Sequence, residues 1–153
     1  MGTRTVKVEG LRELETALMD LPKATGKAVL RRVAKQALIP FDKAWRANAA
    51  AHRLTGALEE SGGIGTKLTR RQARLNRKVE GKASIEMYAG PNDPAAIPAE
   101  YGTVDQAARP FGRKAWASTQ DETLKIVAES LGNEIDRAAA RLARKAAKLA
   151  AKG

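Results

Sequence analysis

The chain has 153 residues, 43% of them hydrophobic, which suits one domain with a modest core. It has no cysteine and one histidine, so disulfides and thiolate chemistry are excluded and a metal site gains no support. The net charge of +11 is unevenly placed. Residues 67 to 78 carry Lys67, Arg70, Arg71, Arg74, Arg77 and Lys78 without an acid, and residues 137 to 152 carry Arg137, Arg141, Arg144, Lys145, Lys148 and Lys152, again without one. Setting those twelve aside leaves 16 basic and 17 acidic residues, a balance of −1. A nearly neutral body with two cationic extensions implies a polyanionic neighbour, most simply DNA phosphates.

In chain order, Thr3 to Val8 alternates apolar and polar residues and reads as a short strand closed by Glu9-Gly10. Leu11, Leu14, Leu18 and Leu21 repeat at helical spacing, and Pro22 ends that helix. A second helix is expected from Lys23 to about Ala51, with Leu30, Ala34, Ala37, Leu38, Phe41, Ala44 and Trp45 on its apolar face and a bend near Gln36 caused by Pro40. The lone His52 has no partner set for metal binding or nucleophile activation. Thr55-Gly56 opens a short turn that Thr55 can cap, with Leu58 inward and Glu59 and Glu60 near its amino end.

Ser61 to Leu68 and Ala83 to Ala89 read as two antiparallel strands joined by a long charged arm, Thr69 to Gly81, expected to project beyond the sheet. Gly62-Gly63-Ile64-Gly65-Thr66 lacks the Gly-Lys-Ser/Thr ending of a phosphate loop. Gly90 to Pro94 is a turn cluster, and Ile97-Pro98 is expected to keep the chain extended. A junction follows from Glu100 to Trp116, where three of the six aromatics gather. Gly102 permits positive φ there, Pro110 holds Arg109 extended, and Phe111 and Trp116 are placed to anchor a helix. Read from its residues alone, this stretch is foremost a well-packed loop. Beyond it a long helix is expected, capped by Ser118 or Thr119 with Asp121 and Glu122 in its first turn, and its apolar stripe runs from Leu124 to Leu149. From Thr119 to Ala151 it would span about 50 Å, longer than the body, so its basic end should reach past its own subunit.

The fold class expected is α+β: a small antiparallel sheet packed by helices, with a long C-terminal helix and a basic hairpin arm. Residues 1–120 form the body, with the arm at 67–81, and residues 116–153 the long helix of the same domain. No apolar run approaches the roughly 20 residues that span a bilayer, and the amino terminus lacks a signal peptide's apolar core, so no membrane is expected and the cytoplasm is the expected place of synthesis. No catalytic, cofactor-binding or metal-binding constellation is visible, so an enzyme is not expected.

Several segments resemble one family. Glu100-Tyr101-Gly102-Thr103 is similar to a Glu-Phe-Gly-Thr signature, and Ala108-Arg109-Pro110-Phe111 to the Ala-Arg-Pro-Phe that follows it, in the neck and tail-completion proteins of long-tailed double-stranded DNA phages, the family resembling the lambda tail completion protein. Val6 to Leu11 with Leu18 to Lys23 resembles the family's opening strand, turn and first helix. Thr55-Gly56-Ala57-Leu58 with Ser61 resembles its Thr-Gly-x-Leu-x-x-Ser segment. The likeness covers most of residues 1 to 120, with Tyr101 where Phe is usual.

The resemblance implies a structural virion protein: a ring of itself, six copies or twelve, completing or joining tail to head around the DNA channel. Head-closure, tail-terminator or tail-tube proteins would be its neighbours, and no cofactor is implied. Under it, Glu100, Tyr101, Gly102, Thr103, Arg109, Pro110, Phe111 and Trp116 form a subunit or partner contact. Lys67, Arg70, Arg71, Arg74, Arg77, Lys78, Arg141, Arg144, Lys145 and Lys148 face DNA or an adjoining ring. Arg109 is the residue expected to pair with a carboxylate across the interface. The alternative is a free architectural protein that binds DNA without reading its sequence. It would lack helix-turn-helix spacing, zinc ligands and a base-stacking sheet, leaving only salt-sensitive phosphate contacts.

Overall fold

The computed structural model describes residues 10–51, 56–76 and 84–151. The strand expected at Thr3 to Val8, His52, the Thr55 cap, and Arg77 and Lys78 of the arm all lie outside the described residues. The elements run α1 (Leu11–Asp20), α2 (Lys23–Ala37), α3 (Ile39–Ala50), α4 (Ala57–Glu60), β1 (Gly63–Gly65), α5 (Arg70–Leu75), β2 (Tyr88–Gly90), α6 (Ala96–Tyr101) and α7 (Gly112–Ala150). The class is α+β. β1 and β2 form an antiparallel pair with Gly63 opposite Gly90, Ile64 opposite Ala89 and Gly65 opposite Tyr88.

α7 is the spine. Its 39 residues extend about 58 Å at roughly 1.5 Å per residue, and α1, α2 and α3 all pack along it. Two core clusters result. Leu18 and Leu21 at the end of α1 and Val29 of α2 meet Ile135 and Ala138 in the second half of α7, with Leu14, Leu131 and Leu142 at the edge. Trp45 and Ala49 of α3 meet Phe111 and Ala115 at the start of α7, with Phe41, Leu58, Ala96 and Ala99 around them. Arg32 of α2 bonds Glu134 at 2.6 Å and Arg137 reaches the same carboxylate at 3.2 Å. Arg32's hydrogen bond and charge, with help from Arg137, hold the Glu134 carboxyl below its ordinary value against the opposing effect of burial.

Several expectations change. The helix expected over 23–51 is two helices that break at Leu38, two residues after the anticipated bend. Pro40 lies in the first turn of α3, where its missing N–H costs nothing, so it starts a helix instead of kinking one. The buried face of α2 is Val29, Val33 and Ala37, whereas Leu30 and Ala34 are only half-buried. Ile97-Pro98 is not extended: Pro98 sits in the first turn of α6, whose amide groups need no intrahelical partner.

The arm also differs in part. Residues 70–75 are helical, opened by a capping box in which the Gln72 amide donates to the Thr69 hydroxyl while the Thr69 amide donates to the Gln72 side chain. At the far end, Asn76 donates to Glu86 and to the Tyr88 hydroxyl, which itself donates to Glu86 at 2.5 Å. The bond to Glu86 raises the Tyr88 pKa, and the two bonds from Asn76 tie the arm to β2 and the residues leading into it.

Candidate functional site

Glu100 organises the junction. It lies in the last turn of the short helix α6 and is 8% exposed, and its carboxylate accepts from the amides of Phe111 and Gly112, each at 2.8 Å, and of Arg113 at 3.0 Å. Those amides are among the N–H groups that an α-helix leaves without internal partners, so Glu100 caps α7 from eleven residues upstream. Arg113 completes the arrangement: its Nε donates to Glu100 at 3.0 Å and its Nη2 to the Glu100 carbonyl at 2.8 Å, while its guanidinium lies 4.9 Å from the centre of the Tyr101 ring. Burial pushes the Glu100 carboxyl up, but the donors from Arg113, Gly112 and Phe111 together outweigh it and hold the pKa below its ordinary value. The helix therefore starts at Gly112, seven residues before the Thr119 anticipated as its cap. The hydroxyls of Ser118 and Thr119 both donate to the Ala115 carbonyl inside the helix.

Between the capping residue and the helix, the chain makes a loop pinned at both ends. Gly102 has φ +80, and a Cβ there would lie 2.8 Å from the Gln106 carbonyl and 2.9 Å from the Ala108 amide. The Thr103 amide bonds the Gln106 carbonyl and the Arg109 amide bonds the Ala99 carbonyl, each at 2.8 Å. Substituting Gly102→Ala sets a side chain in a backbone region it rarely adopts and against backbone atoms. It should lower stability by about 1–2 kcal/mol, read as an earlier midpoint in urea, while an unchanged midpoint would mean that the loop relaxes freely.

What the loop displays is solvent-facing. Val104 is fully exposed, Tyr101 is 66% exposed and Ile97 is 53% exposed, with Thr103 and Arg109 beside them. The residues expected to act together thus divide into two groups. Glu100, Gly102, Pro110 and Phe111 build the joint, whereas Tyr101, Thr103 and Arg109 are presented by it. Phe111 is buried against Trp45, and Trp116 is half-exposed with its ring edge-on to Phe41 at 5.9 Å.

The second motif is structural in the same way. Gly56 takes φ +80 at the start of α4 and Leu58 packs on the Trp45 cluster. The Ser61 hydroxyl donates to Leu58 and accepts from the amides of Asn92 and Asp93, each at 3.1 Å, clamping the turn after β2. Arg46 bonds Asp42 at 2.9 Å, donates to the carbonyls of Glu59 and Gly62, and lies over the Trp45 ring. Asn48 donates to the Phe111 carbonyl at 3.0 Å. Asn48 and Arg113 carried no local sequence signal, because each acts on a backbone group distant in the chain, and the i,i+4 spacing of Asp42 and Arg46 signals their ion pair but not the bonds from Arg46 to distant carbonyls.

The cations fall in two places. Lys67, Arg70 and Arg74 are exposed at the arm, and Arg71 belongs to the same helix. Arg141, Arg144, Lys145 and Lys148 are exposed on the last turns of α7. From residue 143 onward every described residue is exposed, Leu149 at 64% among them, so the end of α7 stands clear of the body. Among the described residues no helix is long and apolar enough to cross a membrane. No family model, curated protein or solved structure matches this chain.

Proposed function

We propose that this chain is a structural, non-enzymatic ring subunit of the head-tail junction of a long-tailed DNA phage, acting in the virion at the neck or tail and assembled there from the host cytoplasm. The observation that carries the reading is the end of α7: a helix whose final turns are basic, exposed and unsupported by their own body, as expected of an element that neighbours hold. The Glu100-capped joint supports it, since the residues of the family-like motifs either build that joint or are presented by it. In this reading Tyr101, Val104 and Arg109 meet a subunit or a tail-tube partner. The cations of the arm and of α7 face the DNA path or an adjoining ring.

Light scattering on the purified chain, together with electron microscopy of assembled particles, tests the proposal. Several copies around the channel are expected, and a single-chain protein missing from particles overturns it. Because the basic segments carry no acid of their own, duplex binding is the competing reading. That reading gains if the free chain holds DNA tightly at physiological salt, whereas a channel lining should let go as salt rises.

A further inference from the structure

α7 is charged in two consecutive blocks. Glu122, Glu129 and Asp136 are exposed and recur every seven residues; Arg137, Arg141, Arg144 and Lys148 follow at steps of four and three. At about 100° per residue each set forms one narrow stripe, the cationic one displaced from the acidic one by about a quarter turn. The repeat matters because seven residues correspond to about 10.5 Å along the axis in both stripes. Cations at that interval on one helix can therefore meet carboxylates at the same interval on another, pair by pair. The acidic stripe is lightly engaged within its own chain: Lys125 reaches Glu129 at only 3.8 Å, with both side chains mostly exposed. Of the cations, Arg137 already shares Glu134 and Arg141 is exposed beside Leu142 at the edge of the core, whereas Arg144 and Lys148 stand on turns that the body does not cover.

We infer that the basic end of α7 docks along the Glu122–Glu129–Asp136 stripe of α7 in a second copy of this chain. The quarter-turn offset keeps both stripes from facing one partner helix together. Each subunit therefore gives its basic end to one neighbour and offers its acidic stripe to another, a head-to-tail contact that closes into a ring or runs on as a filament. The inference rests on the ring reading and assigns one of its contacts. It commits the α7 cations to a neighbouring subunit in preference to DNA.

Charge exchange tests it. Arg144→Glu with Lys148→Glu, or Glu122→Lys with Glu129→Lys, should each weaken self-association by on the order of 100-fold, because like charges then face one another. Combining all four substitutions in one chain, or mixing the two variants, should restore most of the oligomer mass in light scattering. Because the chain has no cysteine, Asn133→Cys with Lys145→Cys adds a clean second readout. Those residues lie about 18 Å apart on one helix, too far for a bridge within a chain, so a ladder of disulfide-linked multimers is expected on oxidation.

Four results overturn the contact: reversals that leave the oligomer mass unchanged, a four-site exchange that fails to restore it, no ladder, or an Arg144→Glu, Lys148→Glu variant that loses only its hold on a 30-base-pair duplex. If the wild-type chain assembles and enters particles in spite of such a result, the ring reading stands and only this contact falls. A wild-type chain that stays single and is missing from particles removes both.

Discussion

Trp45→Ala should lower stability by about 3–5 kcal/mol, the range for emptying a well-packed aromatic site. Trp45 is completely buried, its ring 6.2 Å from that of Phe111, and it is the point at which α3 grips the start of α7. The indole N–H donates to Asp42 at 3.0 Å, and the same carboxylate holds Arg46, whose guanidinium covers the ring and bonds the carbonyls of Glu59 and Gly62. Truncation therefore opens a cavity and also unseats the cation that ties α4 and the entry to β1 onto α3. A domain of this size has about 5–15 kcal/mol of stability in all, so the melting temperature should fall by on the order of 10 °C or more. Trp45→Phe keeps most of the apolar volume and loses the N–H donor, and should cost about 1–2 kcal/mol. Circular dichroism melts of the three proteins separate packing from hydrogen bonding. In a Trp116→Phe background the remaining tryptophan also reports burial by its emission. Should Trp45→Ala melt within about 3 °C of wild type, the α3–α7 contact is not what holds this half of the molecule.

The contrast between these core positions and the sequence reading shows where local pattern stops being informative. α1 was legible from its leucine spacing and its stop at Pro22, and so was the antiparallel pair, though it is shorter than the alternation suggests. α2 was legible as a helix and misread as to face. It carries apolar residues at 29 and 30, at 33 and 34, and at 37 and 38, so two stripes about 100° apart are equally periodic. Only the position of α7, distant in the chain, selects Val29 and Val33 over Leu30 and Ala34. The arm's helical turn also had a readable signal, the capping box Thr69-x-x-Gln72, which charge density alone does not bring out.

The junction was legible as a concentration of aromatics and turn residues, but its organising interaction was not. Ser118, Thr119, Asp121 and Glu122 satisfy the ordinary preferences of a helix start, and a window-based reading has no means to prefer a glutamate at position 100. The deciding factor is burial. A carboxylate buried at position 100 gains three amide donors and a guanidinium, whereas a hydroxyl at 118 or 119 would have had to break a helix that α3 already covers.

Replacing that carboxylate should produce the second large effect. Glu100→Ala leaves the amides of Phe111, Gly112 and Arg113 without their acceptor and frees Arg113 from its anchor, and should cost about 3 kcal/mol. Glu100→Gln keeps the shape and one acceptor oxygen but loses the charge, and should cost about half as much. The two variants also differ from wild type in their response to acid. The Glu100 pKa is depressed in the folded protein, so the unfolded chain binds this proton more readily than the folded one. The stabilisation it brings is therefore fully present above the ordinary glutamate pKa and is lost as pH falls through the depressed folded value. Wild type should approach Glu100→Gln in stability as the solution becomes acidic, with the gap widest near neutrality. Because the cap sets the register of the 101–109 loop, Glu100→Gln should also increase amide exchange at Phe111, Gly112 and Arg113 before it affects the α1–α2 half of α7. A stability difference between wild type and Glu100→Gln that stays constant from neutral to acid pH would show that the charge on Glu100 contributes nothing, and that the joint is held by the packing of Phe111 on Trp45 alone.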